Sequence, residues 1–181
     1  RVDETARGAL RTGGPPSRRP APDARIAPMS SPSDASPDLP ATLAEIREDF
    51  LAMPERERLQ LLLEFANELP DLPERYASAP GLLERIEECQ SPVRAFAEVD
   101  DAGVVHFYAT APAEAPTTRG FASILAQGLS GLTVQEVLDV PDDFPMSIGL
   151  TRAVSPLRIG GMNGMLTRAK RQVREQVAAR G

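Results

Sequence analysis

The sequence predicts an α+β fold in which a small antiparallel sheet is packed by helices. Apolar residues recur at helical spacing from Leu39 onwards, change to a period of two over positions 93–99, and return to helical spacing after a return strand at positions 104–110. The expected order is therefore helices, a hairpin, and helices again. Segregated helices and strands of this kind are typical of α+β domains.

Residues 1–38 differ in composition from the rest of the chain. They hold seven of the 18 prolines and six arginines, but only four large aliphatic residues. A segment with so little apolar surface cannot offset the entropy cost of ordering it. We therefore expect a disordered, proline-rich N-terminal extension over residues 1–38 and a folded domain over residues 39–181. The prolines interrupt any amphipathic helix, which disfavours a targeting role for the extension.

Two amphipathic helices are expected to open the domain. Pro40 suits the first turn of the first helix, where its missing N–H costs nothing. The apolar face of that helix consists of Leu43, Ile46, Phe50 and Leu51. Pro54 ends it and can start the second helix, whose apolar stripe consists of Leu59, Leu62, Leu63, Ala66 and Leu69.

The middle of the domain predicts strands. Residues 83–87 form a short strand that runs into Cys89, and the second strand places Val93, Ala95, Ala97 and Val99 on one face. Residues 104–110 form the return strand. Between them, residues 100–103 predict a hairpin loop in which Gly103 takes a positive φ.

Helical spacing resumes after the hairpin. One helix carries an apolar face and is expected to end at Ser130-Gly131; that face consists of Phe121, Ile124, Leu125 and Leu129. Thr133 and Glu136 have the spacing of a capping box, which predicts the start of a short helix. The last helix begins at Ser155-Pro156, and its apolar side consists of Leu157, Met162, Met165, Leu166, Ala169 and Val173.

Composition and charge exclude several classes of function. A net charge of −6 argues against a sequence-independent nucleic-acid binder. No apolar run approaches the roughly 18 residues that a membrane span needs, so we expect no membrane association. One cysteine and one histidine exclude an internal disulfide and any multi-cysteine or histidine-rich metal site, and we expect no bound metal. A lone thiol fits a reducing compartment, which predicts a cytoplasmic protein.

Cys89 is the candidate reactive residue. Free cysteines usually behave as small buried hydrophobes, but Glu87, Glu88, Gln90 and Ser91 around this one are typical of a loop that a partner can reach. Because two carboxylates adjoin the thiol, we expect its pKa not to be lowered. A cysteine hydrolase needs a base paired with the thiol, and His106, which we expect to be a packed or surface residue on a strand, is a poor candidate for that base.

The residues around Cys89-Gln90-Ser91 carry a family resemblance. Residues 85–93 resemble the cysteine motif of the SufE family, sulfur acceptors that partner SufS-type cysteine desulfurases. Residues 68–75, residues 119–125 and residues 149–162 resemble further segments of that family in the same order, so the likeness covers about residues 39–175. Glu88 departs from the pattern, because the family usually has glycine before the cysteine.

The resemblance implies a function, a fold and a set of site residues. Cys89 is expected to accept a persulfide from a SufS-type cysteine desulfurase, to stimulate that enzyme and to deliver sulfur to an iron–sulfur scaffold complex. The fold is expected to be that of the iron–sulfur scaffold proteins, with no bound cofactor, and the protein is expected to act as a sulfur-transfer accessory protein rather than as a stand-alone enzyme. The candidate loop-supporting or partner-binding residues are Gln90, Ser91, Arg119 and Arg158.

One alternative remains open from the sequence. The protein could be a non-catalytic interaction module that binds and regulates a desulfurase or scaffold, with Cys89 incidental. A cluster-bearing scaffold is disfavoured, because ligation of an iron–sulfur cluster generally needs several thiolates.

Overall fold

A computed structural model describes residues 39–181, and within them the elements follow the α+β order expected from the sequence. The expected extension over residues 1–38 lies outside the described residues. The elements, in chain order, are α1 (Ala41–Ala52), α2 (Glu55–Asn67), α3 (Glu74–Ala77), a 3-10 turn (Pro80–Leu82), β1 (Glu84–Arg85), β2 (Arg94–Val99), β3 (Val105–Thr110), α4 (Pro116–Leu129), α5 (Val134–Asp139), α6 (Phe144–Ser147) and α7 (Pro156–Arg180).

The strands form an antiparallel sheet in the order β1-β2-β3. The alternation in the sequence buries one face of it, which consists of Ala95, Ala97, Val99, Val105, Phe107 and Ala109. On this face α7 packs against β2 and α4 packs against β3. On the other face, the Tyr76 ring of α3 lies 4.9 Å from the Tyr108 ring and 5.9 Å from the Phe96 ring, measured between ring centroids.

Helix α4 is the centre of the core. It contacts β3 and α7 and also packs against α1 and α2. Residues on all its sides are therefore buried, including Phe121, Ile124 and Leu125. Burying a large aliphatic or aromatic side chain stabilises the fold by about 1.5–3 kcal/mol, so this helix contributes a large share of the core.

Side chains of α7 complete the edge of β2 where β1 ends. β1 pairs only its two residues, Glu84 and Arg85, with β2. Further along, Gln172 Oε1 accepts a hydrogen bond from the Ala97 N–H at 2.8 Å, and Gln176 Oε1 accepts one from the Val99 N–H at 2.9 Å. Gln176 also donates to the Ala97 carbonyl at 2.6 Å. These bonds satisfy backbone groups that a longer β1 would otherwise pair.

The β2–β3 turn has the conformation that its residues predict. Gly103 has a φ of 79°, which glycine adopts without steric cost. Asp100 Oδ1 accepts hydrogen bonds from the N–H groups of Ala102 and Val104, both at 2.9 Å, as short acidic side chains do in turns. His106 lies beside this turn, with its Nε2 at 2.9 Å from Asp100 Oδ2, and is partly exposed, as expected.

Several details differ from the sequence-based expectation. The strand predicted over residues 83–87 is confined to Glu84–Arg85, because the chain turns after Ile86. Leu51 and Leu157 were expected on buried faces but are 44% and 54% exposed. Leu51 directly follows the buried Phe50, and consecutive helical residues point about 100° apart; Leu157 lies in the first turn of α7, at the edge of the core. No helix within residues 39–181 is long and apolar enough to cross a membrane.

Candidate functional site

Cys89 lies in the loop that joins β1 to β2, as the sequence predicts, and not in a helix. Ile86 N–H donates to the Val93 carbonyl at 3.0 Å, which closes the base of the loop, and Cys89 N–H donates to the Ile86 carbonyl at 3.2 Å. The cysteine is 7% exposed and packs with the hydrophobic core, so its thiol is turned inward, although its neighbours Glu88 and Gln90 are exposed.

Two glycines of α7 make room for this loop. A methyl group added to Gly161 would lie 2.9 Å from Cys89 Sγ. A methyl group added to Gly164 would lie 2.9 Å from the carboxyl carbon of Glu88 and 3.0 Å from its Cβ. Because protein interiors are close-packed, any side chain at either position would displace the loop or its side chains. The thiol and its neighbour therefore pack directly against the bare side of the helix.

An arginine of α7 joins the loop to β1. Arg168 donates from Nε and Nη2 to the Glu88 carboxylate, at 3.1 Å and 3.0 Å, and its Nη1 pairs with Glu84. Bidentate arginine–carboxylate pairs are the stronger and more directional kind of ion pair. Arg171 and Gln172 also donate to Glu84. Arg168 is thus held on one side by the strand and binds the cysteine loop on the other.

A cavity of about 190 Å³ adjoins the thiol. Its walls come from the Cys89 loop, from the segment that leads into α4 and from the first turns of α7, and they include Gln90, Ser91, Glu114, Thr117, Leu157 and Arg158. Pockets that bind small organic ligands usually enclose about 300 Å³ or more. This cavity suits a few atoms or the end of a partner's side chain.

The electrostatic environment keeps the Cys89 thiol protonated. The pKa of Cys89 is raised to about 11; burial is the main cause, the negative charge of Glu88 adds to the rise, and Arg168 opposes it. Only the thiolate is an effective nucleophile. The sequence correctly predicted a pKa that is not lowered, but burial, rather than the flanking carboxylates, is the larger cause.

The structure brings three of the four proposed supporting residues to the cysteine. Gln90, Ser91 and Arg158 line the cavity beside Cys89, and Arg158 is exposed. Arg119 points elsewhere: its Nε donates to the Ala66 carbonyl at 2.9 Å, and its Nη1 donates to the Ala111 carbonyl at 2.8 Å. Arg119 therefore braces α4 against the end of α2 and the chain that follows β3.

Sequence reasoning predicted Arg158 of α7 but missed the other residues that this helix supplies to the site. Arg168, Gly161 and Gly164 were not among the candidate residues, because nothing local connects them to Cys89. One signal was present. Each glycine inside a helix costs about 1 kcal/mol relative to alanine, and α7 contains three, at 160, 161 and 164. Such glycines often mark a close approach of another segment.

Comparisons with known proteins agree with this architecture. A family model described as "SufE: Fe-S metabolism associated domain" matches residues 44–173. An uncharacterized SufE-like protein of Mycobacterium tuberculosis is 49% identical over 141 residues, which cover 78% of this chain and 97% of the relative. "SufE-like protein 1, chloroplastic/mitochondrial" of Arabidopsis thaliana is 32% identical over 152 residues, which cover 81% of this chain and 39% of that protein.

A solved structure shows the same fold. The solution structure of a hypothetical protein from Thermus thermophilus superimposes with a TM-score of 0.67 and 38% sequence identity, over 78% of this chain and 99% of that one. The family match covers most of the chain and includes the Cys89 loop and the α7 residues that hold it. The chain is therefore a member of the SufE family, whose domain is associated with iron–sulfur metabolism.

Proposed function

We propose that this protein is a sulfur carrier that takes a persulfide sulfur onto Cys89 from a SufS-type cysteine desulfurase and delivers it for iron–sulfur cluster assembly. One observation carries the proposal: the only thiol of a SufE-family chain lies at the wall of a cavity, on a loop between two strands. Membership of the family supplies the chemical class, and the position of the thiol supplies the acceptor atom.

The transfer is a displacement at sulfur. The Cys89 thiolate attacks the outer sulfur of the donor persulfide, the S–S bond of the donor breaks, and the donor cysteine leaves as a thiolate. A new S–S bond on Cys89 Sγ forms as the old one breaks, so no oxidant or reductant is consumed. A second thiol nearby would attack the Cys89 persulfide and release the sulfur, and the chain contains no second cysteine.

The closed loop and the protonated thiol support the view that the carrier reacts only after its partner has bound. With a pKa near 11, roughly one Cys89 thiol in 10,000 is ionised at pH 7. Cys89 as a residue is also only 7% exposed, so although it lines the cavity, the loop is expected to move before a donor sulfur reaches Sγ. Docking of the desulfurase is expected to move the loop and to ionise the thiol together. By removing the sulfur, the carrier frees the donor cysteine for another turnover, which stimulates the desulfurase.

The rim of the cavity is the proposed docking surface for the desulfurase. Leu157 and Arg158 are exposed in the first turn of α7, and Gln90 is exposed on the loop itself. An exposed leucine beside a cation, at the mouth of a cavity that holds the reactive atom, gives a partner both an apolar contact and an ion-pair contact. The receiving partner is expected to be an iron–sulfur scaffold complex, and the site of action is expected to be the cytoplasm.

Mass spectrometry tests the acceptor role. After incubation with a SufS-type desulfurase and free cysteine, the wild-type protein is expected to gain about 32 Da for each sulfur accepted. Cys89→Ser, which keeps the shape of the side chain, is expected to gain nothing while still binding the desulfurase. If Cys89→Ser stimulates cysteine desulfuration as well as the wild type does, the protein is a regulatory interaction module and the carrier proposal is wrong.

A further inference from the structure

We propose that Glu88 and Arg168 are positioning residues that form a latch: their ion pair holds the Cys89 loop against α7, and its opening admits the sulfur donor. The importance of the latch for sulfur transfer rests on the proposed function, but the latch itself is a property of the free protein.

The geometry places the latch beside the reactive atom. Glu88 directly precedes Cys89, and two nitrogens of Arg168 bind its carboxylate at 3.1 Å and 3.0 Å. Arg168 lies in the middle of α7, and Glu84 of β1 pairs with it from the other side. Arg168 is therefore held in place by Glu84, and Glu88 is the partner that can move away from it.

The two partners differ in exposure. The side chain of Arg168 is 22% exposed and that of Glu88 is 46% exposed. Glu88 swinging outward would carry the neighbouring Cys89 away from Gly161, whose missing side chain leaves room for Sγ in the closed position. Loss of this one bidentate contact thus frees the segment that covers the thiol, without breaking any pairing between β2 and β3.

The effect of Arg168 on Cys89 reactivity has opposite signs under two explanations. If Arg168 acts only as a nearby cation, removing its charge disfavours the thiolate and slows reaction of the thiol. If Arg168 holds the loop closed, removing it exposes the thiol and accelerates the same reaction. Substitution of Arg168 by glutamine, which is shorter and uncharged, separates the two.

The experiment is iodoacetamide labelling of the full chain without any partner. Arg168→Gln is expected to label Cys89 about three to five times faster than the wild type, the scale of one partly exposed ion pair. Arg171→Gln is the matched control, because Arg171 also binds Glu84 but makes its other ion pair with Glu175 rather than with Glu88. It is expected to label at the wild-type rate. A rate for Arg168→Gln at or below that of the wild type overturns the latch.

Amide hydrogen exchange supplies a readout that does not depend on ionisation of the thiol. Residues 86–93 are expected to exchange faster in Arg168→Gln and in Glu88→Gln than in the wild type. Glu87→Gln is the control for Glu88→Gln, because Glu87 is exposed and pairs with Arg85 instead. The double variant Glu88→Gln/Arg168→Gln is expected to exchange no faster than the faster single variant. Full additivity of the two changes contradicts a shared contact.

Sulfur loading separates the latch from the proposed function. With a desulfurase and free cysteine, Arg168→Gln is expected to reach half-maximal loading at a lower desulfurase concentration than Arg171→Gln, because less binding energy is spent on opening the loop. If neither the wild type nor the variants accept sulfur, the proposed function fails, while labelling and exchange still decide whether the latch exists. Equal half-maximal concentrations with faster labelling would overturn its role in transfer.

Discussion

The two loops that join the strands of the sheet differ in how much of their support comes from their own side chains. In the β2–β3 turn, Asp100 accepts two backbone bonds and Gly103 has a positive φ. Distant residues add to this: Arg180 donates to the Asp100 carbonyl, and the Val134 N–H donates to the Gly103 carbonyl. The β1–β2 loop closes backbone bonds of its own, but its side chains depend on α7. Arg168, 80 residues further along the chain, binds Glu88, and Gly161 leaves the space that Cys89 fills.

This difference distinguishes a turn that only joins two strands from a loop that can open to expose a reactive residue. The β2–β3 turn keeps two side-chain-to-backbone bonds within its own residues, in addition to its bonds from Arg180 and Val134. A loop held by a few tertiary contacts opens at a lower free-energy cost than the rest of the domain, and functional loops are drawn from such segments. The Cys89 loop therefore combines a thiol that is covered at rest with a cover that can be removed.

The largest expected effect concerns the reactivity of the covered thiol. Burial raises the pKa of Cys89 to about 11, and a rise of two pKa units lowers the thiolate fraction on the order of 100-fold. Iodoacetamide labelling at pH 7.5 is expected to be slower by that factor in the folded protein than in the same chain unfolded in urea. The rate should keep rising with pH up to about 11. A rate that levels off near pH 8.5 would mean that the loop does not shield the thiol.

A smaller effect is expected from filling the space that α7 leaves for the loop. The side chain introduced by Gly161→Val would overlap Cys89 Sγ, and overpacking of this kind lowers the free energy of unfolding by about 1–3 kcal/mol. Gly160→Ala is the control. No atom lies within 4 Å of a methyl group at that position, so the better helix former should raise the free energy of unfolding by about 0.5–1 kcal/mol. Urea unfolding measures both, and equal values would contradict the close contact.

A change within the β2–β3 turn should alter stability and leave the reactivity of Cys89 unaffected. Gly103→Ala forces a side chain into a backbone conformation with a φ of 79°, which costs about 1 kcal/mol. The free energy of unfolding is expected to fall by that amount, while the labelling rate of Cys89 in the native protein stays at the wild-type value. Faster labelling in this variant would show that the two loops are coupled.

The smallest expected effect comes from residues 1–38. Their proline-rich composition predicts no contribution to the core. A chain that begins at Leu39 is expected to label Cys89 and to accept sulfur at the rates of the full chain. Equal rates would mean that the folded domain alone keeps the Cys89 loop closed. A faster rate in the shortened chain would mean that residues 1–38 help to keep it closed.

Local signals in the sequence predicted the elements of the fold well. The spacing of Leu43, Ile46 and Phe50, the Thr133–Glu136 capping box and the Asp100–Gly103 turn each depend on neighbouring residues, and the structure confirms all three. The short helices α3 and α6 were not predicted. Their four residues each are too few to show a helical period.

Most of the site residues that the sequence predicted are those next to Cys89 in the chain. Cys89 and its polar neighbours are adjacent in sequence, so a loop and a candidate acceptor could be inferred from them. Arg168 and Gly161 reach the loop only after α7 has packed against β2, and no sequence period marks that contact. Arg119, which the family resemblance singled out, binds the Ala66 and Ala111 carbonyls and is not among the residues that line the cavity.

The side-chain bonds from α7 to β2 also bear on how this protein behaves when it is concentrated. Unpaired backbone groups along a strand invite the strand of a second molecule, which is how many folded proteins begin to aggregate. Gln172 and Gln176 already occupy the free N–H groups of Ala97 and Val99, and Gln176 occupies the Ala97 carbonyl. This stretch of β2 is thereby closed to intermolecular strand addition, although β1 covers only the beginning of it.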